Sequence, residues 1–428
     1  MKNVVVVDGV RTPFIKAGTL FNKLSAVDLG KAALREVLAR TGIRGEQIDE
    51  VIVGNIAQPP EATNVARIIA LEAGIPMKVP AFSVQRNCAS GMQSMADAYF
   101  RLAHGYADIV IAGGVESMSK IPLLYSEKAT AKFANVMKAR SLGQRLGAFA
   151  SFRPSDFSPV IGILLGLTDG YCGLNMGQTA EVLAKEYGVS REEQDAFALM
   201  SHQRSTKATD NGTLKEEIVP VYVPPTYKTV VDEDNGIRKN QNMEALQKLK
   251  PAFDRKFGTV TPGNASQITD GAAFVVMMTE EKAKSLGFSP LGAIRGFGFA
   301  GLDPARMGLG PVYSTPIALS RAGLEMKDID LIELNEAFAA QVIANERCFA
   351  SKTFAEKELG RATALGEIDR EKLNVNGGAI SLGHPVGASA TRLVITLLKE
   401  LKRRDLQYGL ATLCVGGGQG GAMVVERS

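Results

Sequence analysis

The chain of 428 residues is poor in the residue types that build metal sites, disulfide frameworks and redox pairs. It has three histidines and four cysteines, Cys88, Cys172, Cys348 and Cys414. No two of the cysteines have the spacing of a zinc-ligand or redox pair. Four widely separated cysteines in so long a chain do not indicate a disulfide framework, and they favour a reducing, cytoplasmic compartment.

Long apolar runs and charge of one sign are also scarce. No window reaches the roughly 18 apolar residues that a membrane-spanning helix requires. The four valines near the N-terminus predict a buried strand, not a signal peptide. The net charge is only +4, with both signs mixed along the chain, which argues against a nucleic-acid-binding surface. The remaining composition, 45% hydrophobic with 44 glycines, is typical of a globular protein with two or three domains.

Short β-branched runs alternate with helical patterns in the first part of the chain. In chain order the predicted elements are a strand at 3–10, a helix at 25–42, a strand at 48–56, a helix at 64–74 and a strand at 107–117. Ser25 is the expected N-cap of the first helix, and Gly42 is its expected terminator. Such alternation is typical of βαβ units and predicts a largely parallel sheet covered by helices.

The second half of the chain repeats part of the first. Arg40–Asn55 aligns with Arg321–Glu336 at a constant offset of 281 positions, and the strand residues keep their apolar alternation. We interpret the match as a duplicated α/β unit. A single match of this length is also what unrelated helix–glycine–strand joints can produce, so both explanations stay open at this point.

Two segments interrupt the alternation. Between residues 121 and 268 proline, glycine and charge become frequent, which predicts an inserted loop-rich segment that forms a lid or a ligand wall. Phe349–Lys372 is polar and mostly helical in pattern, and we expect it on the surface.

Cys88 lies where an extended apolar segment ends and a helical pattern starts. A helix N-terminus offers unpaired backbone N–H groups and favours an anion, so we expect the pKa of this thiol to be lowered toward that of a reactive thiolate. The small residues Ala89, Ser90 and Gly91 would let a substrate approach closely. The alternative is a buried structural cysteine, the commoner kind.

Three later segments add further chemistry. His384 lies between Gly383 and Pro385, which excludes the middle of a helix, and the next helix is expected to be capped near Ser389. Cys414 precedes a glycine-rich turn whose exposed N–H groups suit an oxyanion site. A phosphate-binding loop is disfavoured because neither a helix nor a Lys-Ser/Thr pair follows. Asn335 lies between a strand and a helix, where the alternative role is helix capping.

These four segments, in this order, resemble the thiolase family. The family motifs are present as Cys88-Ala89-Ser90, Asn335-Glu336-Ala337-Phe338, Gly383-His384-Pro385 and Cys414-Val415-Gly416, and weaker similarities run nearly end to end. The resemblance implies an α/β fold with two similar halves in a five-layered αβαβα core and an inserted loop domain. The expected boundaries are 1–120 with 269–290 for the N-terminal half, 121–268 for the loop domain and 291–428 for the C-terminal half.

The resemblance also implies an acyl-CoA:acetyl-CoA C-acyltransferase that works through an acyl-cysteine. Cys88 would be the acylated nucleophile, and His384 would activate it. Cys414 would transfer the proton at the α-carbon of acetyl-CoA. Asn335 would hold a water that forms one oxyanion hole with His384. The backbone N–H groups of Cys88 and Gly416 would form the other.

Substrate binding and partners follow from the same resemblance. Ser266 matches a family serine near the pantetheine arm of CoA. Arg238 matches, less well, a basic residue near the adenine nucleotide, and its alternative is a solvated loop charge. No metal or redox cofactor is expected, since CoA is a co-substrate. We expect a homodimer or larger assembly, in which a hydratase/dehydrogenase subunit is a candidate partner, and membrane contact that is at most peripheral.

Two departures bear on the direction of the reaction. Short-chain biosynthetic relatives carry a histidine where this chain has Asn175, and their segment equivalent to 120–165 is shorter. The longer segment resembles the thiolase subunit of fatty-acid β-oxidation complexes and favours cleavage of longer 3-ketoacyl-CoAs. Acetoacetyl-CoA synthesis is the alternative, whereas a non-catalytic acyl-CoA-binding protein is disfavoured by the intact motifs. Phe157–Leu167 could line an acyl channel, contact a partner subunit or membrane, or simply pack.

Overall fold

A computed structural model describes residues 2–428 as fourteen strands and fifteen α-helices. The strands are β1 (Val4–Arg11), β2 (Ile15–Lys16), β3 (Glu50–Gly54), β4 (Ala81–Val84), β5 (Ile109–Ser117), β6 (Leu123–Leu124), β7 (Val160–Ile161), β8 (Val221–Val223), β9 (Thr229–Val231), β10 (Thr269–Thr279), β11 (Gly292–Gly301), β12 (Leu331–Leu334), β13 (Tyr408–Val415) and β14 (Gln419–Arg427). The helices are α1 (Ala26–Thr41), α2 (Val65–Ala73), α3 (Ser90–Ala103), α4 (Glu127–Lys138), α5 (Leu142–Ala150), α6 (Gly162–Gly166), α7 (Met176–Glu186), α8 (Arg191–Asp210), α9 (Met243–Gln247), α10 (Glu280–Ser285), α11 (Gly310–Ala322), α12 (Ala339–Ala350), α13 (Lys352–Glu358), α14 (Ala379–Leu382) and α15 (Val386–Arg404).

The long strands form two sheet regions joined at a narrow seam. The N-terminal region has the order β1-β10-β5-β3-β4, and the C-terminal region has the order β11-β14-β13-β12. Strands β1 and β11 pair only at Val5–Ala293 and Val6–Gly292, which makes one continuous path of the two regions. β3 pairs in parallel with β4 and β5, and β12 pairs in parallel with β13.

The prediction of a largely parallel sheet is wrong. Strand β10 pairs antiparallel with both β1 and β5, and β14 pairs antiparallel with both β11 and β13. The alternation behind this prediction covers β1, β3 and β5 with the helices α1 and α2; β3 and β5 do pair in parallel, whereas β1 pairs antiparallel with β10 and β11. Strand β10 enters the sheet after the long insertion, and β14 returns from β13 through a tight turn. Both routes allow antiparallel pairing.

Helices and sheet regions stack in five layers, as the four motifs implied. The central helices α3 and α15 pack against each other and lie between the sheets, α3 on β5 and α15 on both β5 and β13. On the outer face of the N-terminal sheet lie α1 and α2, and on the outer face of the C-terminal sheet lies α11 with α12 beside it. Three buried clusters fill the interfaces, exemplified by Met92 and Leu393 in the centre, Leu34 and Ile69 on one side and Val342 on the other.

Local sequence accounts for the ends of α1. The Ser25 hydroxyl accepts from the Asp28 N–H at 3.2 Å, and the Asp28 carboxylate accepts from the Ser25 N–H at 3.0 Å. This capping box satisfies two N–H groups that a helix start leaves unpaired. At the other end, Gly42 takes a left-handed φ of 67° as the C-cap. Both predicted ends of this helix are confirmed.

The duplicated segment has the same structure in both halves. Gly42 ends α1 and Gly323 ends α11, each in a left-handed conformation, and each helix is followed by a short 3₁₀ turn and a strand. The carboxylate of Asp49 accepts from the N–H groups of the first residues of β5, and Asp330 does the same at the start of β13. Chance similarity would not reproduce a long-range contact, so the structure supports a duplication.

The inserted segment is more ordered than the sequence suggested. It contains α4 to α9 and two small two-stranded sheets. Leu164 and Leu165 are 58% and 57% exposed, so simple packing of Phe157–Leu167 is wrong. Residues 349–372 are helical only as far as Glu358. The domain boundaries at 120, 268 and 290 stay predictions.

Candidate active site

Cys88 lies in the bend that leads into the central helix α3. The helix begins at Ser90, with Ala89 as its N-cap. The bend is tight: the Ala89 N–H donates to the Arg86 carbonyl, and the Ser90 N–H donates to the Asn87 carbonyl, both at 2.9 Å. Asn87 takes a left-handed φ of 39°, a conformation that asparagine tolerates better than most residues. The thiol is therefore held by backbone geometry beside the helix start.

The cysteine is half-buried, and its sulfur faces two backbone N–H groups, those of Gly416 and of Cys88 itself. Burial raises the pKa of the Cys88 thiol, the two N–H groups oppose that rise, and the charge of Glu116 adds to it. The expectation of a lowered pKa is wrong, because desolvation of the thiolate outweighs the donors at the helix start. A reaction that uses the Cys88 thiolate would therefore need a base to remove the thiol proton.

The turn after Cys414 reaches the same place from the other half. Strands β13 and β14 form a hairpin, with Cys414 opposite Gly420 in its register. Within the turn Gly417 has a left-handed φ of 87°, a conformation that favours glycine. The Gly416 carbonyl accepts from the Asn87 side-chain amide at 2.7 Å. A methyl group on Gly416 would come within 3.2 Å of the Met176 sulfur, so the turn has little room for side chains.

Cys414 is buried beside the first cysteine. It is 1% exposed. Burial raises the pKa of the Cys414 thiol strongly, and the neighbouring Cys88 sulfur raises this pKa further. The two thiols, 326 positions apart in the chain, therefore share one pocket. Cys414 remains a protonated thiol at neutral pH and can act as an acid.

His384 is fixed on a loop at the start of the other central helix. Its N–H donates to the Gln267 carbonyl at 3.1 Å. Its Nδ1 lies 2.6 Å from the Ser389 hydroxyl, which itself donates to the Pro385 carbonyl at 3.0 Å. With the hydroxyl proton used in this way, Nδ1 carries a proton and Nε2 has the free lone pair. Burial lowers the pKa of His384 to about 4, with a smaller contribution from the Arg392 charge, so the imidazole is a neutral base.

The predicted cap near Ser389 is wrong. Helix α15 begins at Val386 with Pro385 as its N-cap. The Ser389 hydroxyl lies one turn into the helix and contacts His384 Nδ1 instead of capping the helix start. The two central helices touch at their starts, since a methyl group on Gly91 would meet the Gly387 carbonyl at 2.9 Å. The bends that carry Cys88 and His384 are therefore neighbours.

Asn335 connects the histidine to Cys414. Its N–H donates to the Thr412 carbonyl on β13 at 3.0 Å, and its Nδ2 lies 3.5 Å from His384 Nε2. Helix α12 begins only at Ala339, with Phe338 as N-cap, so the capping alternative for Asn335 is wrong. The side chain is fully buried, and its Oδ1 has no hydrogen-bond partner within residues 2–428. A buried acceptor of this kind is what a bound water would satisfy.

The two predicted substrate-binding residues differ in their placement. The half-buried Ser266 donates its N–H to the Ala337 carbonyl at 2.9 Å and precedes Gln267, so it borders the catalytic cluster. Arg238 has an exposed side chain, and its N–H donates to Nδ1 of His202 at 3.2 Å. Its loop contacts the site through the Gln267 side chain, which donates to the Gly236 carbonyl at 3.0 Å, and through Ile237, which packs against the small buried cluster that contains Leu382.

Comparison with known proteins decides the family. A model of the thiolase N-terminal domain matches residues 4–281, and a model of the thiolase C-terminal domain matches residues 288–427. The chain belongs to the thiolase family. It is 46% identical over 424 residues to proteins named 3-ketoacyl-CoA thiolase from Yersinia pestis (strain Pestoides F) and Yersinia pseudotuberculosis (serotype O:1b, strain IP 31758), covering 99% of this chain and 96% of each relative.

Solved thiolase structures have the same fold. The acetyl-CoA acetyltransferase of Bacillus anthracis superposes with a TM-score of 0.87, at 37% identity, over 100% of this chain and 99% of that one. Human mitochondrial 3-ketoacyl-CoA thiolase gives a TM-score of 0.86 at 37% identity, with 100% and 99% coverage, and that enzyme has also been solved in complex with CoA. The family and fold class predicted from the four motifs are confirmed.

Sequence reasoning missed several residues that shape this thiolase site. They are Asn87, which holds the glycine turn, Met176, which packs against Gly416, Gln267, which anchors the His384 backbone, and Glu116, whose charge reaches Cys88. Asn87 was detectable as the neighbour of Cys88 in a bend. The others come from distant segments, and no local pattern identifies them.

Two further observations concern metal binding and membrane-spanning helices. Among residues 2–428 no group of three or more His, Cys, Asp and Glu side chains is arranged to hold a metal ion. In the same range no helix combines the length and apolar character needed to cross a bilayer.

Proposed function

We propose that this thiolase catalyses the CoA-dependent cleavage of 3-ketoacyl-CoA to acetyl-CoA and a shortened acyl-CoA in fatty-acid β-oxidation. The single observation that carries the proposal is the shared pocket of Cys88 and Cys414, with the neutral His384 at the adjoining helix start. The names of the relatives that are 46% identical over almost the whole chain support the same substrate class. Synthesis of acetoacetyl-CoA uses the same groups in the reverse direction and is the alternative.

The first step acylates the nucleophile. Nε2 of His384 accepts the Cys88 proton, and the thiolate attacks the keto carbon of the substrate. The oxygen of that carbon becomes negative in the tetrahedral intermediate. The backbone N–H groups of Cys88 and Gly416, which face the sulfur, are the donors for this oxyanion. The placement of these two backbone groups supports their role as oxyanion donors, a role that does not depend on a side chain.

The second step breaks the bond between the α- and β-carbons. The departing acetyl-CoA fragment is an enolate, whose oxygen needs donors and whose carbon needs a proton. A water held by Asn335, together with His384, stabilises the enolate oxygen. Cys414 gives its proton to the enolate carbon, which its raised pKa suits because the thiol stays protonated until an enolate forms.

The third step releases the acyl group. The Cys414 thiolate left by the second step takes the proton of the free CoA thiol, and the CoA sulfur attacks the acyl-Cys88 thioester. The bond between the acyl carbon and the Cys88 sulfur breaks, and the released thiolate takes back the proton held by His384. The enzyme is thereby regenerated, so the kinetics are ping-pong. Ser266 contacts the pantetheine arm in this scheme, and Arg238 lies near the adenine nucleotide. CoA is a co-substrate, and the steps require no metal or redox cofactor.

We also propose how the protein assembles and in which compartment it works. Strand β4 lies at the end of the sheet order, and its four residues are half-buried, which supports a homodimer formed along this edge. The exposed Leu164 and Leu165 support contact with a hydratase/dehydrogenase subunit or, peripherally, a membrane. All four cysteines are free thiols, which favours the cytoplasm.

A substrate series tests the direction and chain length. We expect kcat/KM for 3-ketoacyl-CoAs with free CoA to rise from four carbons toward longer chains. The measurement follows loss of the substrate enolate absorbance across chains of four to sixteen carbons. A maximum at four carbons, with little activity beyond, would favour acetoacetyl-CoA synthesis instead.

A further inference from the structure

Each half of the molecule contacts the start of the other half's central helix. At the end of β13, in the C-terminal half, Gly416 faces the Cys88 sulfur at the start of α3. At the end of β5, in the N-terminal half, the Glu116 carboxylate accepts from the N–H of Gly387 in the first turn of α15 at 3.1 Å. Because α15 follows His384 directly, the second contact is the counterpart of the first.

Glu116 is a buried carboxylate whose acceptor positions are filled by two chain segments, residues 55–57 and the start of α15. It is 1% exposed. Oε1 accepts from the Asn55 side-chain amide at 3.1 Å and from the Ala57 N–H at 2.9 Å. Oε2 accepts from the Ile56 N–H at 3.2 Å, beside its contact with Gly387. Hydrogen bonds to a carboxylate are roughly twice as strong as neutral ones, and a negative group is favoured at a helix N-terminus.

Close packing makes the helix start sensitive to this carboxylate. A methyl group on Gly387 would meet the Val115 carbonyl at 2.5 Å and the Glu116 carboxylate at 3.0 Å. The first turn of α15 therefore lies directly on the end of β5. That same turn carries Ser389, which holds His384 Nδ1. A shift of the turn would move the imidazole and its partner together.

We propose that Glu116 is a positioning residue that fixes the first turn of α15 and thereby holds the His384 imidazole in reach of the Cys88 thiol. The inference rests on the proposed role of His384 as the base. Glu116 touches neither the substrate nor the sulfur in this scheme. Its charge also raises the pKa of the Cys88 thiol. The positioning effect is the part that passes through Gly387 and the short loop that connects Gly387 to the histidine.

Three variants separate the reach of the side chain from its charge. Glu116→Ala removes both. Glu116→Asp keeps the charge but is one methylene too short to hold both residues 55–57 and Gly387. Glu116→Gln keeps the length: its carbonyl can accept from Gly387 and Ile56, and its NH₂ can face Asn55, whose Oδ1 is buried without a partner within residues 2–428. Glu181→Ala is the matched control, since Glu181 is also buried and also accepts backbone N–H groups, those of Thr259 and Val260.

The experiment measures the rate at which acetyl-CoA acylates Cys88 in the full-length protein, by rapid quench and mass spectrometry, together with KM for CoA and thermal melting. We expect Glu116→Ala and Glu116→Asp to slow acylation by about 100-fold at unchanged KM, the size expected for a misplaced catalytic group. Glu116→Gln should lose about tenfold or less. Glu181→Ala should melt earlier yet acylate at the wild-type rate.

Each outcome decides the proposal. Folded Glu116→Asp that acylates like wild type overturns it, and this variant serves if Glu116→Ala does not fold. A Glu181→Ala variant that loses as much acylation as Glu116→Asp also overturns it, because general destabilisation would then be the cause. Equal losses of acylation rate in Glu116→Asp and Glu116→Gln would also contradict the proposal, because the rate would then not depend on the length of the side chain. Failure of wild type to acylate at all would instead remove the proposed function.

Discussion

In the N-terminal half the central helix begins at Ser90, two residues after Cys88, and in the C-terminal half it begins at Val386, two residues after His384. The preceding units match as well, since Asp49 and Asp330 make equivalent contacts to the next strand of their sheets. The halves differ in what they place at equivalent points: a thiol before one helix and an imidazole before the other. The two helix starts lie next to each other, and they differ in the proposed role of the residue before them, a nucleophile in one half and a base in the other.

The strand ends differ in the same way. The N-terminal half ends β5 with a carboxylate, Glu116, and the C-terminal half ends β13 with a thiol and a glycine turn, Cys414 to Gly416. At the end of β5, Glu116 accepts from the Gly387 N–H at the start of α15. At the end of β13, the Gly416 N–H faces the Cys88 sulfur. The comparison shows that two halves with the same backbone arrangement can carry different chemical groups at equivalent positions, as long as each half contacts the start of the other half's central helix.

The largest expected effect comes from removing the group that is unique to the N-terminal half. Cys88→Ser should lower kcat on the order of 10⁴-fold or more, because a serine hydroxyl is a poorer nucleophile and no other group replaces the thiol. Intact-protein mass spectrometry after incubation with acetyl-CoA should show no acyl adduct. Cys172→Ser is the control and should acylate normally. An adduct that persists in Cys88→Ser would place the nucleophile elsewhere.

The thiol of the C-terminal half should behave differently. Cys414→Ala should still form acyl-Cys88 from acetyl-CoA, since acylation uses His384 and the N–H donors. It should lose exchange of the acetyl-CoA α-protons with deuterated water by about 10² to 10⁴-fold, the range for a general acid–base group. Nuclear magnetic resonance of the methyl signal measures this exchange. Exchange at the wild-type rate would contradict the division of labour between the two thiols.

The pH dependence of stability should have opposite signs at His384 and at Glu116. Burial lowers the pKa of His384 to about 4, so the unfolded chain binds the extra proton first and stability falls as pH drops from about 6.5 toward 4. Burial raises the pKa of Glu116 to about 7, so the folded chain holds the extra proton and stability falls as pH rises from about 4.5 to 7.

Variants whose side chains do not titrate isolate these two pH dependences of stability. His384→Gln should flatten the acidic decline in the free energy of unfolding, and Glu116→Gln should flatten the decline toward neutral pH, each by on the order of 3 kcal/mol at most. Urea titrations between pH 4 and 8 measure both, with wild type as the reference. Changes of the same sign in the two variants would break this part of the comparison.

The smallest expected effect tests the duplication itself. Asp49→Ala and Asp330→Ala each remove a carboxylate that accepts from two backbone N–H groups at a strand start. Each should lower the free energy of unfolding by about 1 kcal/mol, since these contacts are partly exposed. Activity should be retained in both. Thermal and urea unfolding make the measurement, and markedly unequal losses would show that the two contacts are equivalent in geometry only.

Motifs and ends of elements were predictable because they depend on near neighbours in the chain. Ser25 caps α1 through a residue three positions away, and Gly42 ends it by its own conformational freedom. The order of Cys88, Asn335, His384 and Cys414 was sufficient for the family. The antiparallel pairing of β10 and β14 was not predictable, because it depends on where long connections return the chain.

By itself, the sequence determined which chemical groups the site contains, the family to which they belong and both ends of α1. Only the tertiary structure decided that the Cys88 thiol has a raised pKa, that Ser389 serves His384 and not the helix, and that Glu116 lies beneath the start of α15. The physical reason is range: capping and periodicity act over a few residues, whereas desolvation and packing depend on whatever the fold brings near.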